Sequence, residues 1–223
     1  MSSITWDLLN ADASATHLFP AFNTKIYQMV EMEVTGLNND ALDFESERWG
    51  WSKWSIRRNL SHIASGDYRW FWQRWGNIIF PSGLDKSTYI NDLLDSPYDR
   101  RLDETKYWEL NTLLVKLKEA LLFAQTILEE ETVTSCRFKE IQVDQGGNWT
   151  ALKDAGYRGI RIDPEDQGQY LITLEMTFVH RYFEYIAHLF NIQRLKLAQN
   201  IAVANLVPIE GYLALPGWDI SVP

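Results

Sequence analysis

Apolar side chains recur at three- and four-residue spacing in four stretches of the chain, and each stretch predicts an amphipathic helix. The first covers about residues 15–35, carried by Leu18, Phe22, Ile26, Met29 and Val30, with Gly36 as its stop. Pro20 fits only in a first turn, which moves the start toward Phe19. The second begins at Ser55, a good N-cap, and passes through Ile56, Leu60 and Ile63 into an aromatic stretch ending at Trp75-Gly76. Gly76, Pro81 and Gly83 then break it. The third is the most regular. Tyr107, Leu110, Leu114, Leu117, Leu121, Ala124 and Leu128 form one column and Leu113, Ala120 and Ile127 a second, so this helix needs cover on two sides. The fourth covers about residues 169–199.

Between the third and fourth helices, residues 132–168 lose this pattern and carry Gly146-Gly147-Asn148, Gly156, Gly159 and Pro164. Two alternating pieces, 137–143 and 157–162, read equally as a small hairpin or as loop. No internal repeat or low-complexity tract is visible, which predicts a single domain over residues 1–223. It has an irregular insertion at about 132–168 and a Pro/Gly-marked tail at about 200–223. Four long helices with little strand signal predict an all-α fold, a helical bundle whose connections are too long for the simplest up-down-up-down path.

Composition narrows the functions open to such a fold. With 21 basic against 30 acidic residues the net charge is −9, and no basic cluster exceeds the pairs Arg57-Arg58 and Arg100-Arg101. The chain therefore repels polyphosphate, and nucleic acid is not an expected partner. The longest apolar runs, near Ala120 to Ala124, fall far short of the roughly 20 residues of a membrane span. Residues 1–10 hold no basic residue and no sustained apolar stretch, unlike a signal peptide, so the expected location is the cytoplasm. A single cysteine, Cys136, excludes an internal disulfide and every paired-cysteine metal motif, so any metal must use histidine and carboxylate.

Four histidines and ten tryptophans remain to be placed. His180, Glu184 and His188 step along the fourth helix at i, i+4 and i+8; at about 40° per step, all three project from one sector. Glu184-x-x-x-His188 is a spacing at which adjacent turns hold one metal ion, and His62 on the second helix is the candidate third ligand. The same pair also occurs on solvated helix faces, and a lone histidine such as His62 is often a core residue bonded to a carbonyl. Tyr68, Phe71, Trp72 and Trp75 share a helix face suited to burial, while Trp70 falls off that stripe and is free to meet another subunit. His17 reads as exposed and unused, and Cys136 lacks the basic surroundings of a nucleophile.

Trp54-Ser55 followed by His62-Ile63-Ala64 resembles the second-helix signature of the DinB/YfiT-like family, in which a Trp-Ser cap precedes a metal-binding histidine by seven residues. The triplet His180, Glu184, His188 resembles the family's His-x-x-x-His-x-x-x-His series, whose last two members bind the metal. The resemblance implies a four-helix bundle with a long insertion before its last main helix. It implies a divalent metal, commonly zinc, with nickel or iron as the other choices, held by His62, Glu184 and His188. Glu184 departs from the commoner three-histidine set and is similar to the mycothiol-dependent maleylpyruvate isomerase branch. Leu189-Phe190-Asn191 stands where the family often has a basic residue, Gly and Gln, which implies different helix packing beside the metal.

Family members of known activity use a low-molecular-weight thiol, as S-transferases or thiol-dependent isomerases, and many are homodimers. The implied reading is a thiol-dependent enzyme acting through a metal-activated thiolate or water on a small-molecule substrate. A reading of a different class keeps the fold as a non-catalytic metal-binding or oligomerisation module. Two further residues bear on the site. His180 is placed to orient Glu184 or to make a core hydrogen bond, and Arg69, seven residues after His62 with Gly66 between, to hold an anionic substrate or form a surface salt bridge.

Overall fold

The computed structural model describes residues 12–223, so the reading of residues 1–10 lies outside the described residues. Nine α-helices follow one another among the described residues. They are α1 Lys25–Val34, α2 Asn39–Asp43, α3 Ile56–Asp67, α4 Gly76–Ile79, α5 Ser87–Leu94, α6 Leu110–Glu130, α7 Val133–Phe138, α8 Gly147–Asp154 and α9 Leu174–Ala198. A π-helical segment, Tyr68–Arg74, joins α3 to α4. The predicted breaker Gly76 therefore opens a further turn of helix, and the chain leaves helix at Phe80, just before Pro81.

The molecule is mostly helical but not all-α. Strands β1 Glu140–Asp144, β2 Ile160–Ile162 and β3 Gln169–Thr173 form an antiparallel sheet in the order β1-β3-β2. Val143 pairs with Tyr170, and both Ile141 and Ile160 lie opposite Ile172. Each of the two alternating pieces of the insertion is thus a strand in its later part only, since 137–138 end α7 and 157–159 precede β2, and each strand pairs with β3 and neither with the other. β3 occupies the residues expected to begin the fourth helix, which instead starts at Leu174, where Thr173 Oγ1 accepts from the backbone N–H of Met176 at 3.1 Å. Val143, Ile172 and Tyr170 pack inward at 3% exposure or less, and Tyr170 and Ile172, two residues apart, share the buried face as strand residues do.

The first helix is also shorter than its periodicity. Two 3-10 turns, Ala15–His17 and Pro20–Phe22, precede α1, with Pro20 at the first position of its turn. Gly36, at φ +82°, ends the segment as expected. Ser55 caps α3 by accepting from the Arg58 N–H at 3.3 Å. α6 begins at Leu110 rather than Tyr107, and its two columns, Leu114, Leu117, Leu121, Ala124, Leu128 and Leu113, Ala120, Ile127, are buried as read.

α3 packs on both α6 and α9, and α1 packs on the same two helices. α9 is buried along most of its length and around most of its circumference, polar residues included. No helix among the described residues is long and apolar enough to cross a membrane. The tail is tied to this core by Glu33 of α1, which is 1% exposed. Its carboxylate accepts from Lys196 Nζ at 2.5 Å, Gln193 Nε2 at 2.6 Å and the backbone N–H groups of Ala204 and Asn205 at 3.0 and 2.9 Å. Burial alone would raise the Glu33 pKa, but these hydrogen bonds more than offset it and hold the value below the ordinary one.

Because the folded-state value lies below the unfolded one, this contribution is complete at neutral pH and drains away as the pH falls through the acid range. Glu33→Ala is expected to lower stability to urea at pH 7 by about 3–5 kcal/mol, the cost of leaving Lys196 buried without its partner. The loss should shrink as the pH drops below the carboxylate range; equal stability of both proteins at pH 7 would show that the tail is held by other contacts.

Candidate metal centre

α3 and α9 cross where His62 faces Glu184 and His188. His62 Nε2 lies 3.1 Å and His188 Nε2 3.6 Å from the same oxygen, Glu184 Oε2, and one ligand atom from each residue falls within 4.8 Å of the others. The i, i+4 spacing on α9 and the seven-residue offset from the Ser55 cap on α3 bring together the three residues singled out from the sequence.

The second nitrogen of each ring decides what this cluster is. His62 Nδ1 is 2.9 Å from the backbone oxygen of Arg100, which only accepts, so the hydrogen sits on Nδ1. His188 Nδ1 is 2.7 Å from Asn59 Oδ1. The orientation of that amide is settled by its other end, since Asn59 Nδ2 donates to the carbonyls of Trp54 and Ser55 at 3.1 and 2.9 Å. His188 therefore also donates through Nδ1. In the neutral rings both Nε2 atoms are then bare lone pairs, turned toward a carboxylate oxygen. Burial, and next the neighbouring His188, push the His62 pKa down to about 4. Burial would raise Glu184, but the histidines around it outweigh this and hold the carboxyl well below its usual range.

Three acceptors converging on one point call for a cation between them. Ligands about 2 Å from a tetrahedral ion lie about 3.3 Å apart, a value that the 3.1 and 3.6 Å separations bracket. Histidine ligands held through Nδ1–H by an oxygen acceptor are the usual arrangement around protein-bound metals. The residues thus fit a divalent ion held by three protein donors. Trp54 closes one side, 5.3 Å from the His62 ring and 6.2 Å from the His188 ring.

Immediately behind the cluster, Arg181 Nε pairs with Asp67 Oδ1 at 2.7 Å, and the Tyr185 hydroxyl donates to Asp67 Oδ2 at 2.7 Å, all fully buried. Burial raises the Asp67 carboxyl while Arg181 and Tyr185 pull it back. Gly66 is required here, because a Cβ at that position would overlap the Arg181 guanidinium. The space that Gly66 leaves is filled by Arg181 and is not open between His62 and Arg69.

Of the two expectations for Arg69, the surface salt bridge is not seen among the described residues. Its half-buried guanidinium donates to Ser65 Oγ at 3.3 Å and to the Arg101 carbonyl at 3.2 Å. His180 makes the core hydrogen bond rather than orienting Glu184; its partner is the Tyr212 hydroxyl. Trp70 meets Trp149 of the insertion and His180 within the same chain, and Trp72, only half-buried, donates to Asn91 Oδ1. Phe190 lies under the Arg194 guanidinium, which also covers Trp51, so the position of the family glycine serves to seat the tail. Cys136 is buried, and burial pushes its thiol up to about 12, which leaves it inert; His17 is exposed.

Asn59, Arg100, Asp67 and Arg181 went unread in the sequence. The signal available was polar residues at helical spacing with the ligands: Asn59, His62 and Gly66 on α3, and Arg181, Tyr185 and His188 on α9. The chain matches no family model, no curated protein and no solved structure. The resemblance to DinB/YfiT-like proteins therefore rests on the sequence positions named above alone.

Replacing Asn59 by Ala removes the acceptor of His188 Nδ1 without touching a ligand. Metal affinity, measured by competition with a chromogenic chelator, is expected to fall roughly 10–100-fold. An unchanged affinity would mean that the amide does not orient the ring.

Proposed function

We propose that this chain is a divalent-metal protein of the DinB/YfiT-like type, with α1, α3, α6 and α9 as the four helices of its bundle and His62, Glu184 and His188 as its metal ligands. The carrying observation is the pair of Nδ1–H donors committed to Arg100 O and Asn59 Oδ1, which leaves two Nε2 lone pairs and a carboxylate aimed at one point. Zinc is the first choice of metal, with nickel or iron next, because imidazole and carboxylate donors suit all three.

A bound ion of this kind lowers the pKa of water or of a thiol in its open position, making hydroxide or thiolate available at neutral pH. The reading is a thiol-dependent S-transferase or isomerase that takes a low-molecular-weight thiol and works in the cytoplasm as a homodimer. The chain's own residues supply the remainder. Glu184 brings one negative charge to the site, and Trp54 shields the two rings from water on one side. Arg69, half-buried and hydrogen-bonded to two neutral oxygens, keeps a cation just past the end of α3 that an anionic substrate can use. Cys136, sealed in the core, leaves any reacting thiol to arrive from outside.

One observation favours the non-catalytic alternative: the ligand side chains are only 8–14% exposed, so access to the open position is narrow. Two measurements separate the readings. Protein purified without a histidine tag is expected to carry close to one divalent ion per chain, and Glu184→Ala and His188→Ala to lose it; equal metal content in all three proteins refutes the ligand set. Metal-loaded protein is then mixed with a panel of small thiols and electrophiles. Turnover that disappears on chelation supports the enzyme, and none across the panel supports the binding module.

A further inference from the structure

α5 ends at Leu94, and residues 95–101 follow with neither helix nor strand before Leu102 enters the core. This turn is fastened to α3 and to Arg69 just beyond it. The N–H of Leu102 donates to Ser61 Oγ at 2.9 Å, and Arg69 Nη2 donates to the Arg101 carbonyl at 3.2 Å. Ser65 shares its hydroxyl between the carbonyls of His62 and Arg100, at 3.0 and 3.1 Å. The remaining link comes from His62 itself, whose Nδ1 lies 2.9 Å from the same Arg100 oxygen. The turn thus reaches the cluster through one hydrogen bond to a ligand ring, with no residue in between.

That bond depends on what stands on the other side of the ring. Nε2 of His62 is 3.1 Å from Glu184 Oε2, so each ring nitrogen faces an oxygen that accepts, and a neutral imidazole has one hydrogen for the two of them. With an ion at Nε2 the hydrogen stays on Nδ1, and the Arg100 carbonyl keeps its donor. Without one, Nε2–H to the carboxylate competes, a charge-assisted bond stronger than one to a neutral carbonyl. Whenever it forms, Arg100 O faces a lone pair and the turn loses a fastening.

We propose that the turn 95–101 is coupled to the metal centre: filling the cluster locks the turn onto α3, emptying it loosens the turn, and Ser65 is the positioning residue that steadies the shared carbonyl. The inference rests on the metal reading of His62, Glu184 and His188. What the coupling governs lies at the surface. The guanidiniums of Arg100, whose side chain is 64% exposed, and of Arg101 lie 6.0 and 5.4 Å from the Trp54 ring beside the cluster. Metal occupancy therefore fixes where two guanidiniums stand at that edge of the molecule.

Hydrogen exchange of the full chain at pH 7, read by mass spectrometry, compares chelator-stripped with zinc-loaded protein. Peptides over 95–101 are expected to exchange about tenfold more slowly with zinc, the worth of one hydrogen bond. The loop at 163–168 between β2 and β3, which shares none of these contacts, should not change. Linkage is reciprocal, so Ser65→Ala, which removes no ligand side chain, should shrink the difference and weaken zinc binding in chelator competition by up to the same factor, while still taking up one ion per chain. Equal exchange of 95–101 with and without zinc, in protein that binds zinc, overturns the coupling, and so does an equal slowing of 163–168. Zinc affinity unchanged in Ser65→Ala overturns the role of Ser65; where that variant does not fold, the wild-type comparison carries the test. Failure of wild type to bind zinc overturns the metal reading itself, and this inference with it.

Discussion

The structure depends on the charges of a central helix. α9 is enclosed by α3, α1, α7, the turn of the tail and the residues before it, so polar side chains along it have little water to turn to. Burial of an unpaired charge is far more costly than any packing defect, and each such group must find a partner on another element. Arg181 finds Asp67 on α3, Lys196 finds Glu33 on α1, Arg194 finds the carbonyls of Asp219 and Ser221 in the tail, and Glu184 faces the candidate metal position between His62 and His188. These links carry orientation as well as energy, because each is satisfied in only one rotation of α9.

The candidate centre is one member of that set. Its two rings are aligned by Asn59 and by Arg100 O, while Asp67 and Arg181 fill the volume directly behind. The aromatic residues that were numerous in the sequence serve two purposes. Trp54 lies against the ring pair, and Trp70 and Trp149 hold the insertion against α9 at His180. Trp49 and Trp51 stack on each other at 4.9 Å under two guanidiniums and belong to the seating of the tail.

Helices α1, α3, α6 and α9 were legible because each has an apolar stripe at helical spacing, and the cluster was legible because ligand spacing is set by the helix turn. The sheet was legible only in part: Tyr170, Ile172 and Leu174 alternate at two-residue spacing but run directly into the α9 stripe, and the pairing with β1 and β2, distant in sequence, is what makes 169–173 a strand. The 3-10 turns ahead of α1 and the π-helical run after α3 were hidden for a related reason: local sequence permits several helical windings, and tertiary packing selects among them. Acceptors supplied by backbone, such as Arg100 O, leave no side-chain trace at all.

That acceptor has a price. Arg100 sits at φ +56°, a left-handed conformation costing a side-chain-bearing residue roughly 1–2 kcal/mol, and the turn it makes aims one carbonyl at both His62 Nδ1 and Ser65 Oγ. Glycine would adopt the same turn without that cost, but it would also adopt many others. The loop at Arg100 is therefore shaped by what its main chain must point at: an arginine confined to an awkward conformation holds a histidine tautomer more firmly than a relaxed residue would.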